Sequence, residues 1–533
     1  MRRFAVLFLL LVLGILSFYS YHKYRQHPPE TSLVELRRNV YIITASGLRA
    51  GHLSSYLYQP IQTPAMDFLA YDGIRFTNAY TSSTDSLAAH LSLLTGIYPI
   101  HEPVKQTYEY LLDFTKRGYP KNLTILPEVL SRRGYRTATF LSDPELRYPG
   151  FFGIFFHQAF TGDGVVYPWQ ASYSPATSCK LARDWIKENR EKPHFLLLNF
   201  DEPSFPFQPP APYDRQYAKY PYDGEAAGVD EQVGLFVNLL KETGLYQKSI
   251  VILTSPYGES LEGESRYSSP HNAVIQVPLI ITAPGLLPRH ENYDAQVSIV
   301  DIVPTILKLL EYSTGTNFDG ISLFEKGQQK QISHEYIYGI VPYPELLNFA
   351  PTCFVRGKGY IYVSGRNEDV ISHHNYEITE SQRNERLQNG RNLLKNAGWK
   401  PGANLSVDLE TDPGLLLEQA LHLARDQKPE IAMDLLSSFT EDVPRNSYLN
   451  SLLGSLAGAS DDQESELSYF KAAAENSPTL RPLPALAVGV VVLGLAMTVS
   501  AGVWIAGVGR GLTGNLVPIK DPTLPLSLAH EVQ

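Results

Sequence analysis

The sequence predicts an α/β sandwich around a mainly parallel sheet, followed by a helical region and flanked by two membrane-spanning segments. Three observations carry this. Phe195–Phe200 (FLLLNF) and Ser249–Thr254 (SIVILT) are continuous apolar runs bounded by polar turns, the pattern of strands buried on both faces. Between them, residues 224–240 (GEAAGVDEQVGLFVNLL) have helical spacing, which gives the strand and helix alternation of such a sandwich. Residues 4–20 and 483–508 are free of charged side chains and long enough to cross a bilayer, the first only with flanking residues snorkelling.

In chain order, a tail of residues 1–3 precedes the apolar run 4–20. Tyr19, Tyr21 and Tyr24 read as an interfacial belt and no small-residue cleavage site follows, so an uncleaved anchor is favoured over a signal peptide. Residues 21–32 are a polar, Pro-bearing linker, and the α/β domain spans 33–400. Within it, Val40–Thr44 is a short apolar run closing in a turn, Asp67–Ala70 lies on a helical pattern, and Ser92–Leu94 opens another helix. Residues 412–479 change character. Pro444 and Pro478 are 34 residues apart and Leu436 falls in phase with Phe470, the period of a tetratricopeptide-like repeat; an ordinary helical hairpin is the alternative. The span 483–508 and a tail, 509–533, follow.

A net charge of −10 argues against nucleic acid as a partner. Only Cys179 and Cys353 occur, which excludes a disulfide framework and leaves a single bridge open. Charge bias around the spans is weak. Asn122-Leu-Thr and Asn404-Leu-Ser are glycosylation acceptors if the chain enters a eukaryotic secretory pathway.

Residues 39–99 carry a family pattern: NVYIITASGLRAGHLSSY, TPAMDFLAYDGIRFTNAYTSST and DSLAAHLSLLTGIYP. DGEAAGVDEQ at 223–232, VPLIITAPG at 277–285, VSIVDIVPTIL at 297–307, FDGISL at 318–323 and RGKGYIY at 356–362 continue it. Together they resemble the sulfatase branch of the alkaline phosphatase superfamily over about residues 36–395. The resemblance implies that family's sandwich fold, held on the extracytoplasmic side of a membrane.

It also implies where the chemistry would sit. The family's T-x-D-T-x-R-x-D-H-L is here Thr44 to Leu53, with Ser46 at the metal-ligating Asp and Gly47 following it. T-S-D-H-G-E-S-L is Thr254 to Leu261, with Pro256 and Tyr257 where Asp and His hold metal. Proline offers no donor, and tyrosine, with a reference pKa of about 10, is a poor ligand near neutrality. Aligning SLLTG places Ser86 at the nucleophile, with His90 in place of an Arg; a helix N-terminus capped by Ser86 or Asp85 is the plainer reading of the same residues. The family's leaving-group His is Ser204. A further His position falls on Ser268, or on His271 if a short insertion is allowed.

The expectation is therefore a membrane-anchored sulfatase-like protein that has lost metal-dependent ester hydrolysis and works as a binding or scaffolding module. No cofactor is expected. Its partners would be the membrane, a protein at the repeats, and a glycan or anionic ligand in the old pocket. The alternative is an active sulfuric or phosphoric ester hydrolase or transferase on glycans or lipids, with Ser86 as nucleophile and calcium, magnesium, manganese or zinc in an unrecognised site. A metal-free esterase using Ser86 and His90 is a third reading.

Overall fold

The computed structural model describes residues 37–398 outside 113–122, 144–173 (where only Leu146, Phe156 and 158–160 are described), 205–206, 262–268, 325–332, 343–351, 365–368 and 373–378. Beyond 398 it describes the helix Pro429–Thr440 and scattered single positions. The expected spans 4–20 and 483–508 lie outside the described residues, as do most of the repeat region and Phe470. Among the described residues no helix is long and apolar enough to cross a membrane.

An eight-stranded sheet forms the centre. Its strands are β1 (Asn39–Ala45), β2 (Ile74–Tyr80), β3 (Arg136–Leu141), β4 (Gln158–Phe160), β5 (His194–Phe200), β6 (Ser249–Thr254), β7 (Leu279–Thr282) and β8 (Glu291–Ser298), in the order β4-β3-β5-β1-β6-β7-β2-β8. β7 runs antiparallel to both its neighbours and the other pairings are parallel. Along β1, Val40 and Ile42 join one hydrophobic core while Tyr41, Ile43 and Ala45 join the other. Period-two burial on both faces is what a continuous apolar run buys in a parallel sheet, at about 2 kcal/mol per fully buried aliphatic side chain.

Helices cover both faces: α1 (Pro64–Tyr71), α2 (Ser86–Thr95), α3 (Leu126–Ser131), α4 (Pro175–Glu188), α5 (Pro221–Glu242) and α6 (Ile302–Leu309). The helix expected to open at Ser92–Leu94 in fact starts at Ser86. Asp85 accepts a hydrogen bond from the Ala88 amide at 2.7 Å and fixes the start there. All ten residues of α2 are buried, so it lacks the polar face by which a surface helix is recognised.

A second, antiparallel sheet of β9 (Ile337–Val341), β10 (Thr352–Gly357), β11 (Tyr360–Val363) and β12 (Asp369–Ser372) packs with α7 (Glu380–Asn396) around a third core. Of the repeat region, α8 (Pro429–Thr440) is described, with Leu436 buried. The disulfide left open by the sequence is absent. Both thiols are reduced and buried, Cys179 on α4 in one core of the main sheet and Cys353 in that of the second sheet.

Candidate functional site

The site lies at the carboxyl ends of the parallel strands, where α/β sheets gather ligand-binding residues. Thr44 on β1 is in register with Asn199 on β5 and Thr254 on β6. Helix α2 sets Ser86 and His90 over this row.

Ser86, His90, Ser46 and Asp143 are each fully buried. The Ser86 hydroxyl donates to Asp143 Oδ2 at 2.5 Å and the Ser46 hydroxyl donates to the same oxygen at 2.7 Å. Asn199 Oδ1 accepts the Asp143 amide at 3.0 Å, and its Nδ2 donates to Thr44 Oγ1 at 3.2 Å. His90 Nδ1 donates to the Ser86 carbonyl at 2.8 Å, so in the neutral ring Nε2 accepts from the Thr44 hydroxyl at 3.0 Å.

The Ser86 and His90 side chains do not form a nucleophile–base pair in this arrangement. His90 does face Ser86 across one turn, with Nδ1 at 3.4 Å from Oγ. That nitrogen carries the proton given to a carbonyl, so it cannot also take one from Ser86. The base-like partner is Asp143, which motif matching did not single out. It follows β3 directly, at the carboxyl end of a buried strand.

The loops that carry Ser46 and Tyr257 are closed by main-chain pairing. The Gly47 amide donates to the Tyr257 carbonyl at 3.0 Å, the Glu259 amide donates to the Gly47 carbonyl at 2.9 Å, and Gly47 and Gly258 form a parallel bridge beyond the ends of β1 and β6. The Tyr222 hydroxyl also donates to the Gly47 carbonyl and accepts from the Arg49 amide. Gly47 sits at φ 81°, and a Cβ there would lie 2.1 Å from the Pro203 carbonyl oxygen, so this closure needs glycine. Tyr257 is 1 % exposed and Pro256 is buried.

Ser204 is buried, and its amide donates to Glu225 Oε2 at 2.9 Å. Burial pushes the Glu225 carboxyl up to about 9, helped by the charges of Glu202 and Asp201, and pushes Glu202 up to about 7. His271 heads the short helix Asn272–Ile275, and Ser268 lies outside the described residues.

A divalent ion does not fit the residues present. Ser46 gives its hydroxyl to Asp143, Pro256 has no donor, and among the described residues no three His, Cys, Asp or Glu side chains are grouped to share an ion.

Residues 38–312, just over half of the chain, match the family model described as Sulfatase. The chain belongs to the sulfatase family. An arylsulfatase of Clostridium perfringens is 22 % identical over 391 residues, covering 57 % of this chain and 81 % of that protein. The inner membrane protein YejM of Salmonella typhimurium is 24 % identical over 283 residues, covering 52 % of this chain and 43 % of that one. Among solved structures, the phosphonate monoester hydrolase of Silicibacter pomeroyi superposes with a TM-score of 0.54 at 17 % identity, covering 68 % of this chain and 95 % of that one. A sulfatase-like sandwich is thus the fold, and the mixed sheet with its helical layers is its frame.

Proposed function

We propose that this sulfatase-family chain is a noncatalytic binding or scaffolding module, held at a membrane by its apolar segments with the α/β domain on the extracytoplasmic side. The observation that carries this is the replacement of the metal ligands by Ser46, Pro256 and Tyr257, together with main-chain closure of the loops that hold them. Without a cation, nothing offsets the charge of a sulfate or phosphate ester or activates the serine for attack on it. A buried carboxylate, Asp143, stands beside Ser86 instead and repels such an anion. The likeness to an inner membrane protein supports the location. The remaining pocket would take a glycan or a small anion at its rim, and the segment after residue 412 a protein partner.

The test is metal stoichiometry by elemental mass spectrometry on the full chain, dialysed against calcium, magnesium, manganese and zinc, with turnover of a panel of sulfate and phosphate esters. The expected results are no stoichiometric ion and no turnover. A bound ion with turnover abolished by Ser86→Ala overturns the reading.

One observation favours a second reading. The 2.5 Å contact from Ser86 Oγ to Asp143 places an acceptor for the hydroxyl proton at the start of α2, which would suit an ester hydrolase with Ser86 as nucleophile. It predicts turnover without metal, lost in both Ser86→Ala and Asp143→Asn.

A further inference from the structure

We propose that the edge of the sheet opposite the site is a docking face for an anionic lipid surface, an inference that rests on the membrane location proposed above. Because β1, β3, β5 and β6 are parallel, their amino ends share one edge, and antiparallel β7 ends there too. The chain segments at that edge are residues 37–38, 72–73, 131–136, 189–193, 246–248 and 283–290, since β2 also starts there. They carry nine Lys or Arg against Asp72 and Glu191, in a chain whose net charge is −10. Asp72 pairs with Arg289 at 3.0 Å and Glu128 with Arg132 at 3.3 Å, and the remaining cations still give this edge a positive sign opposite to that of the whole chain.

The basic side chains are also held in place. Arg38 Nη1 donates to the Pro284 carbonyl at 2.8 Å and the Gln247 carbonyl at 3.2 Å, which ties the turns after β7 and before β6 to the start of β1. Arg37 donates to the Arg133 carbonyl, and Arg133 Nη2 to the Ser313 carbonyl at 2.8 Å. Carbonyls fix a guanidinium without cancelling its charge. Arg136, Lys192 and Lys248 are exposed beside them. Two large apolar side chains stand out on the same edge: Tyr71 at the end of α1, 62 % exposed, and Leu286, 44 % exposed. Exposed aromatic and aliphatic groups among fixed cations suit a headgroup layer, where the ring and alkyl parts enter and the charges meet phosphates.

The sequence favours a bilayer over another polyanion. The apolar run 4–20 precedes Arg37 by residues 21–36, a linker that reaches at most about 55 Å. An anchor there keeps this edge at high local concentration against the bilayer surface. The old pocket, at the carboxyl ends of the strands, then faces away from the lipid.

The experiment uses the full chain reconstituted with vesicles of phosphatidylcholine alone and of phosphatidylcholine with phosphatidylglycerol, read by amide hydrogen exchange. The expected result is added protection of 131–136, 189–193, 246–248 and 283–290 on the anionic vesicles only. It should be lost at high salt and in the triple variant Arg136→Glu, Lys192→Glu, Lys248→Glu, whose three sites are exposed. Each charge lost should weaken docking about fivefold. Equal protection on neutral vesicles, or none on either, overturns the proposal. Carbonate extraction tests the anchor separately: a chain that extracts yet is protected on anionic vesicles keeps the docking face and loses the spans.

Discussion

Ser86 donates its hydroxyl hydrogen to Asp143, across 57 residues of sequence and at 2.5 Å, inside a network with no exposed member among Ser46, His90 and Asn199. Asp143 therefore fastens the end of β3 to the start of α2 and to the turn after β1. Asp143→Ala leaves two buried hydroxyls without their acceptor and should cost about 2–3 kcal/mol, with Ser86→Ala costing about 1–2 kcal/mol. Urea midpoints of the two single variants and the double variant form a cycle. A coupling of at least about 0.5 kcal/mol is expected, and strict additivity would contradict the contact.

Gly47 is where the family pattern has threonine. Gly47→Thr would force a branched side chain at φ 81° onto the Pro203 carbonyl, and the loop would have to open. A loss of more than about 2 kcal/mol in a thermal or urea transition is expected. A neutral outcome would mean that the 44–49 turn is not closed as described.

Glu225 titrates near 9 when folded, chiefly through burial, against an ordinary carboxylate value of about 4.3. The folded state thus holds the extra proton between these values. Its contribution is complete below the lower value and is lost as pH rises through about 9, with a slope of at most about 1.4 kcal/mol per pH unit. Glu225→Gln should flatten that slope in urea titrations between the two limits. An unchanged slope would place the proton elsewhere.

His334 donates from Nε2 to Asp301, at 2.8 Å from Oδ1 and 3.0 Å from Oδ2, and so ties the segment before β9 to the start of α6. Burial acts against the charged ring, but the hydrogen bond to Asp301 and its charge outweigh this and raise the His334 pKa. A raised histidine stabilises fully below its unfolded value of about 6.5 and ceases to do so as pH climbs through the folded one. His334→Gln should remove this alkaline loss, measured as the melting temperature across neutral pH.

Much of the central sheet was legible because β1, β5 and β6 are apolar runs buried on both faces, and such runs name themselves. The helix Pro221–Glu242 was read from 224–240 with its ends short by a few residues, since Pro221 at its first turn marks a boundary that periodicity does not. For helix α2 the apolar pattern at Ser92–Leu94 marks a start six residues late, while the cap reading at Asp85 finds the true one. Its polar residues Ser86, His90, Ser92 and Thr95 are all buried, so no amphipathic stripe announces it, and only Asp85 signals the start. Asp143 was not legible. It is 97 residues from Ser46, and its place depends on a strand pairing that sequence spacing does not encode. Of the second sheet, the Arg356–Tyr362 hairpin was seen, while the outer strands β9 and β12 were too short to register.

The two cysteines sit in separate cores, each under 3 % exposed, and burial pushes the Cys179 thiol up to about 12. Buried in different cores, neither sulfur is open to an oxidant or to the other. The fold is accordingly indifferent to redox poise: moved from a reducing compartment to an oxidising one, the domain gains no cross-link there and has none to lose on return.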